Sequence, residues 1–260
     1  MRRALLAAAL VGLAAPAIGV FLVQRRLSLM GDGIGHVAFV GVAAAFLTNT
    51  SPLALTIVAA VAGAIALELL RERGRTAGDV ALALIFYGGI AGGLLLTDLG
   101  NASNTNLLSF LFGSVLAVSV RDVTILGLVS LAVIVVTFAL RKQLFVVCYD
   151  EEVARASGLP VRSLNLLMAV TAAITIAVTL QVVGILLVAA MLVLPVAAVQ
   201  QVAHSFRTTV LASLALGALV SVGGLVIAFY VDVRPAATIV LCGIGAFLVT
   251  TRMRPMWMRH

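Results

Sequence analysis

The chain has 260 residues, of which 63% are hydrophobic and 10% are charged, whereas a soluble domain carries about 25% charged residues. This composition excludes an ordinary soluble domain and predicts an all-α polytopic membrane helix bundle that forms one domain over 1–260. We attribute the formal net charge of +7 to arginines at the cytoplasmic ends of membrane spans, not to a nucleic-acid surface. The single lysine, Lys142, precedes Gln143, so the phosphate-binding sequence Gly-Lys-Ser/Thr is absent. We therefore expect no enzyme and no ATP hydrolysis by this chain itself.

Nine apolar runs are long enough to cross a bilayer, which takes about 20 residues each. They cover roughly 4–24, 28–48, 53–71, 80–97, 123–141, 163–181, 183–203, 208–229 and 236–251. Gln181 and Gly184 are the only plausible turn between the sixth and seventh spans, and Pro195 is expected to kink the seventh. The segment 107–120 is short for a span and contains Gly113, so its crossing is uncertain from length alone.

The positions of the basic residues decide the topology. If 107–120 does not cross, the N-terminus lies outside and 13 of the 17 basic residues are cytoplasmic; if it crosses, the best split is 10 against 7. The positive-inside rule therefore favours nine spans, with 107–120 as a partial or surface helix. The 13 residues are Arg25, Arg26, Arg71, Arg73, Arg75, Arg141, Lys142, Arg155, Arg162, Arg207, Arg252, Arg254 and Arg259.

A polar stretch from Tyr149 to Val161 interrupts the apolar sequence in the predicted cytoplasmic compartment and holds three of the ten acidic residues. Asp150 is a favourable N-cap, two glutamates follow it in the first turn, and Gly158 can end a helix. Pro160 prevents the helix from continuing. The pattern predicts a short polar helix at about 150–158, which is either a solvated loop element or a docking element for another protein.

Two polar residues, Asp32 and His36, enter the membrane region if the second span begins near Ser28. They stand at positions i and i+4 and therefore share one helix face. A carboxylate and an imidazole suit zinc, manganese or iron(II), although an interfacial ion pair at the helix start would explain them equally. Two ligands make an incomplete site, so a second subunit, waters or other helices would complete it.

Other polar and small residues near the span ends have simpler explanations. Glycines at 31, 33 and 35 predict either close backbone approach or an irregular helix start. Glu68 is expected to snorkel beside Arg71, and Asp79 is expected to cap the fourth span. The two cysteines, Cys148 and Cys242, are far apart in sequence and are expected to be buried thiols.

Several segments together resemble the permease subunits of zinc, manganese and iron(II) ABC importers, in order and over nearly the whole chain. They are Leu29–Gly41 (LMGDGIGHVAFVG), Phe112–Val118 (FGSVLAV), Tyr149–Gly158 (YDEEVARASG), Val183–Pro195 (VGILLVAAMLVLP) and Ala236–Val240 (AATIV). Tyr149–Gly158 is the most specific of these and resembles the cytoplasmic coupling helix of that family. The glycines at 33 and 35 depart from the alanine or serine that is more usual there.

The resemblance implies a homodimeric permease of the compact ABC-importer type, with eight or nine spans, in the bacterial inner membrane. Its implied partners are two cytoplasmic ABC ATPase subunits and an extracytoplasmic metal-binding protein, without nucleic acid and without a permanently bound cofactor. The transported metal would be zinc first, or manganese or iron(II); a permease for a metal chelate and an ion-coupled secondary metal transporter are the alternatives. The residues implied are the metal ligands Asp32 and His36 and the ATPase-coupling residues Tyr149, Asp150, Glu151, Glu152, Arg155 and Gly158.

Overall fold

The computed structural model describes residues 1–72, 78–100 and 118–257, and these residues form α-helices without any strand. We number the helices in chain order. They are α1 (Arg2–Gln24), α2 (Met30–Thr48), α3 (Pro52–Glu72), α4 (Gly78–Leu99), α5 (Val120–Ala139), α6 (Arg141–Tyr149), α7 (Glu151–Ala156), α8 (Val161–Val183), α9 (Ile185–Gln200), α10 (Phe206–Val231) and α11 (Pro235–Trp257).

Eight of the described helices, α1 to α5, α8, α10 and α11, are long and apolar enough to cross a membrane. The ninth predicted span corresponds to α9, which has 16 residues and is therefore about 24 Å long, shorter than the roughly 30 Å hydrocarbon core. The turn before it is at Gly184, as predicted, with φ of 82°. Pro195 lies inside α9, and the helix continues past it to Gln200.

The interior of the bundle is formed by α1, α2, α8 and α9, and the other long helices surround them. In the most apolar window of α1 and of α8, 72% of residues are buried, against 17% in α11. Small residues allow these close contacts: a Cβ atom on Gly12 of α1 would lie 2.5 Å from the carbonyl oxygen of Gly217 on α10. The outer helices instead expose leucines such as Leu128 and Leu219, which is the surface that a lipid environment favours.

One end of the bundle gathers most of the polar contacts, and we call it the coupling end. Arg25, just after α1, pairs with Glu151 of α7, and the ring of Phe21 lies 5.5 Å from that of Phe206 at the start of α10. The helices α1, α3 and α5 end there, whereas α2, α4, α8 and α10 begin there. Because α9 leads into α10, it also ends at the coupling end.

Segment 107–120, predicted to be a partial or surface helix, lies outside the described residues up to position 117. The helices on either side of this segment, α4 and α5, lie within the described residues, so the end of the bundle at which each one begins or ends is known. A Cβ atom on Gly100, after α4, would contact Leu47 near the end of α2, so α4 ends away from the coupling end. Ser119, the N-cap of α5, lies at that same far end.

The predicted short polar helix is present as α7, between Asp150 and Ser157. The Asp150 carboxylate accepts hydrogen bonds from the backbone N–H groups of Glu152 and Val153, at 2.9 and 3.1 Å. Gly158 ends the helix with φ of 77°, a conformation that glycine adopts without strain. Pro160 then precedes α8.

Candidate functional site

Asp32 and His36 lie half-buried on one face of α2, and α2 is helical from Met30 onward. Both side chains line a cavity between the first turns of α2 and α4. The imidazole of His36 packs edge-on against Phe86 of α4, with the ring centroids 4.8 Å apart. This contact restricts the orientation of the imidazole. Asp32 lies one helical turn before His36 and is therefore nearer the coupling end.

The glycines at 31, 33 and 35 explain how α2 reaches this position. Added Cβ atoms there would lie 2.9 Å from a Leu192 methyl, 3.2 Å from a Leu82 methyl and 3.2 Å from Ile185, respectively. Of the two predicted alternatives, close approach is therefore present, and the irregular helix start is not. Tight packing on α4 and α9 fixes the rotation of α2 about its axis, and with it the direction in which Asp32 and His36 point.

The cavity has a volume of about 510 Å³ and combines a few polar groups with an apolar wall. Its lining residues are Leu29, Asp32, His36, Asp79, Leu82, Ala83, Phe86 and Tyr87. Within the described part of the chain, no group of three or more His, Cys, Asp or Glu side chains is arranged to hold a metal ion. One copy thus presents a single Asp–His pair that faces an open space.

The helix α7 presents an exposed surface at the coupling end of the bundle. Tyr149 is 76% exposed and Val153 53% exposed, and Glu152 and Arg155 are exposed beside them. Ala154 faces inward and is fully buried. Val153 was not among the predicted coupling residues; its position on the exposed face of α7 becomes visible only once the helix boundaries are known.

The other side of α7 is tied to the membrane helices by a network of charged side chains centred on Arg25. Its guanidinium pairs with Glu151 of α7 and lies 3.9 Å from the Glu68 carboxylate of α3. Arg71 donates a hydrogen bond of 3.0 Å to the other oxygen of Glu68, and Asn165 of α8 donates one of 3.1 Å to Glu151. The network therefore joins α1, α3, α7 and α8.

This network differs from one of the sequence-based expectations. Glu68 was expected to snorkel to the surface, but its side chain is only 8% exposed because Arg25, itself 7% exposed, and Arg71 neutralise it inside the protein. Glu151, a predicted coupling residue, makes its contacts within the chain to Arg25 and Asn165, and its side chain remains 37% exposed. Sequence reasoning missed Arg25 and Asn165 as members of this group; a lone carboxylate inside an apolar span was the available signal that a buried cation must lie nearby.

The ABC 3 transport family is described by a sequence model that matches residues 1–254. This chain belongs to the ABC 3 transport family. It is 32% identical to the manganese import system permease protein ScaB of Streptococcus gordonii, over 98% of this chain and 91% of that protein. It is 33% identical to a probable metal transport system membrane protein of Treponema pallidum, over 96% of this chain and 93% of that protein. The solved structure of PsaBC from Streptococcus pneumoniae in complex with Fab superposes with a TM-score of 0.85, at 32% identity, and covers 96% of this chain and 90% of that one.

Membership of the ABC 3 transport family confirms the resemblance found in the sequence and the predicted fold class, a polytopic bundle of eight or nine membrane helices. It also makes this chain a multi-pass transport component of the bacterial inner membrane rather than a catalytic subunit. An ion-coupled secondary transporter is accordingly excluded. Within this ABC 3 family chain, the predicted residues form two separate groups, one on α2 and one on and around α7.

Cys148, on α6, packs against the small apolar cluster of the coupling end that includes Phe21 and Met168. Its thiol points toward the Phe21 carbonyl oxygen and the Met168 sulfur, each 3.7 Å away. Burial raises the pKa of the Cys148 thiol to about 12, and the nearby Arg25 only partly opposes this. The thiol is therefore protonated at neutral pH, which does not suit a metal-binding thiolate. Cys148 and Cys242 are both only partly buried, less than the buried thiols that were expected.

Proposed function

We propose that this chain is the permease subunit of an ATP-driven importer for divalent transition metal ions, and that it acts as a homodimer. The supporting observation is the Asp32–His36 pair, which one turn of α2 aligns on the wall of a 510 Å³ cavity. Two copies that meet at this cavity supply two carboxylates and two imidazoles. Four such ligands match the coordination that a transition metal takes from protein side chains, whereas one copy alone does not.

Manganese is the first metal that we propose for this chain, in place of zinc. The relatives from S. gordonii and Halalkalibacterium halodurans, 32% and 29% identical, are named for manganese import and manganese transport. Carboxylate and imidazole ligands, without thiolate, suit manganese, iron(II) and zinc alike. The choice among these three metals therefore depends on the uptake measurement. A metal chelate is the alternative substrate.

Uptake of manganese, zinc and iron(II) into metal-starved cells tests this proposal. The cells carry this permease with its ATPase and its extracytoplasmic binding protein, and the permease is wild type, Asp32→Asn or His36→Ala. We expect both variants to lose uptake of the metal that the wild type imports. Asp98→Asn is the matched control, because Asp98 is an exposed carboxylate at the far end of α4. Equal uptake by wild type, Asp32→Asn and His36→Ala contradicts the metal site.

We further propose that α7 is the docking element for a cytoplasmic ABC ATPase. Four exposed residues on and beside α7, Tyr149, Glu152, Val153 and Arg155, offer a mixed apolar and charged contact surface, which is the usual composition of a protein interface with an apolar centre. Asp150 and Gly158 act by holding this helix in shape. Glu151 acts from the other side, by fastening α7 to Arg25.

Co-purification and transport together test the docking role. Glu152→Lys reverses a charge on the exposed surface of α7 and leaves its Asp150 cap intact, so the membrane bundle should still insert and stay monodisperse. We expect the variant to retain less ATPase and to lose uptake. Glu72→Lys serves as the control, since Glu72 lies at the same end but pairs with Arg162 instead of belonging to α7. Normal uptake by Glu152→Lys would argue against docking at this surface.

A further inference from the structure

A second cavity at the coupling end belongs neither to the Asp32–His36 site nor to the exposed surface of α7. It lies among α1, α5, α6 and α10 and has a volume of about 340 Å³. Its walls are mainly apolar and aromatic and include Phe21, Phe138, Phe145, Phe206, Val210 and Leu211. Thr137 and three cations, Arg141, Lys142 and Arg207, complete the lining.

These three cations differ from the arginines of the network around Arg25. Arg141, Lys142 and Arg207 are exposed and form no ion pair with any residue that the structure describes, and no carboxylate lines the cavity. By contrast, Arg25 and Arg71 each pair with a carboxylate. Three unneutralised cations beside an apolar cavity favour a ligand that is anionic at one end and apolar at the other.

The location of the cavity favours a membrane lipid as that ligand. It lies where the membrane-spanning helices α5 and α10 reach the end of the bundle, and Leu211 on its wall is half exposed. Further along the same helices, Leu128 and Leu219 are exposed, as expected of a surface that faces acyl chains. Basic cavities between membrane helices at the cytoplasmic surface are suited to anionic lipid headgroups.

We propose that this cavity binds an anionic phospholipid of the inner leaflet. Arg141, Lys142 and Arg207 bind the headgroup phosphate, and an acyl chain lies against Phe138 and Leu211. The site borders α6, because Phe145 lines the cavity, lies with its ring 4.6 Å from that of Phe206 and stacks on Tyr149 at 6.0 Å. The lipid site thereby borders the segment that leads directly into α7.

Retention of phospholipid by the purified chain tests this proposal. The wild type is extracted in mild detergent from membranes that contain phosphatidylglycerol and phosphatidylethanolamine, and bound lipid is counted by native mass spectrometry. We expect the triple variant Arg141→Gln, Lys142→Gln, Arg207→Gln to retain at least about ten-fold less phosphatidylglycerol, because each basic residue near an anionic headgroup contributes a several-fold gain in binding. The control removes three exposed arginines elsewhere, Arg2→Gln, Arg3→Gln, Arg121→Gln, and should behave as wild type.

A second variant tests the apolar half of the site without a change in charge. Leu211→Trp fills the cavity from its exposed wall and should also lower retention of phosphatidylglycerol. Equal retention by wild type and the triple variant would overturn the proposal, and so would unchanged retention by Leu211→Trp. If the triple variant keeps its phosphatidylglycerol but loses the co-purifying ATPase, the cavity is a protein-docking surface and the lipid assignment is wrong.

Discussion

Removal of the Arg25 guanidinium is the most informative single perturbation of this structure, and we predict that Arg25→Met weakens the coupling end without unfolding the bundle. Methionine keeps most of the apolar stem but removes the only side chain that contacts both Glu68 and Glu151 among the described residues. Glu68 keeps Arg71 as a partner, and Glu151 keeps Asn165. Neither carboxylate is therefore left unpaired.

The size of the effect follows from these remaining partners. Removal of one member of a fully buried ion pair costs about 3–5 kcal/mol. Here Glu151 is 37% exposed, so water screens its loss, and we expect about 2 kcal/mol for Arg25→Met. Arg155 makes the matched control, since it also pairs with Glu151, at 3.6 Å, but is 66% exposed. We expect Arg155→Met to cost under about 0.5 kcal/mol.

A double-mutant cycle with Glu151→Gln measures the interaction itself. The free energy of unfolding is obtained from SDS titration in mixed micelles for both single variants and the double variant. We expect the double variant to be less destabilised than the sum of the two by about 1 kcal/mol or more, because contacting residues are not additive. Additivity of Arg25→Met and Glu151→Gln to within about 0.5 kcal/mol would show that the pair contributes no interaction energy, and the assigned role of Arg25 would be wrong.

Three further predictions concern the same half of the molecule. Gly158→Ala should cost about 1–2 kcal/mol, because φ of 77° suits glycine and not alanine; the variant should keep its helices by circular dichroism, and a stability equal to wild type would contradict this geometry. Cys148 should react slowly with maleimide in the folded protein at pH 8, since its pKa is raised to about 12 and almost all of the thiol stays protonated at that pH; labelling as fast as in the unfolded protein would refute the raised pKa. Gly12→Leu should abolish correct packing of α1 on α10, because its side chain would meet the Gly217 backbone; a normal yield of monodisperse protein would contradict that contact.

The sequence allowed the class, the span boundaries and α7 to be predicted because those features depend on local composition. Apolar runs define spans, and Asp150 and Gly158 have conformational preferences that act within a few residues. The shortness of α9 was not predicted, because the seventh span was extended across Gln200 and Gln201 to position 203, whereas the helix ends at Gln200. The Asp32–His36 pair follows from helix periodicity, whereas its cavity depends on where α4 packs.

The Arg25 network marks the limit of that local reasoning. Arg25 and Glu151 are 126 residues apart in the chain, and with a single sequence nothing pairs one particular arginine with one particular carboxylate. The burial of Glu68 was missed for the same reason. Its position near the end of α3 allowed a path to the surface, and the choice between snorkelling and burial depended on a cation from another helix.

The network also suggests how movement of α7 reaches the Asp32–His36 pair. Arg25 is followed by a tight turn, in which Leu27 donates to the Leu22 carbonyl oxygen at 2.9 Å and Met30 to that of Leu27 at 3.0 Å. These hydrogen bonds connect α1 to α2 through a short turn. We therefore expect a displacement of Arg25 by Glu151 to shift the first turn of α2, where Asp32 lies. A second route runs through Glu68 on α3, which packs directly against α2. Because both routes start at Arg25 and converge on the helix that carries both candidate ligands, Arg25→Met should lower metal uptake per ATP hydrolysed more than it lowers ATPase binding. Arg162→Met, which breaks only the pair with Glu72 and leaves both routes intact, should change neither.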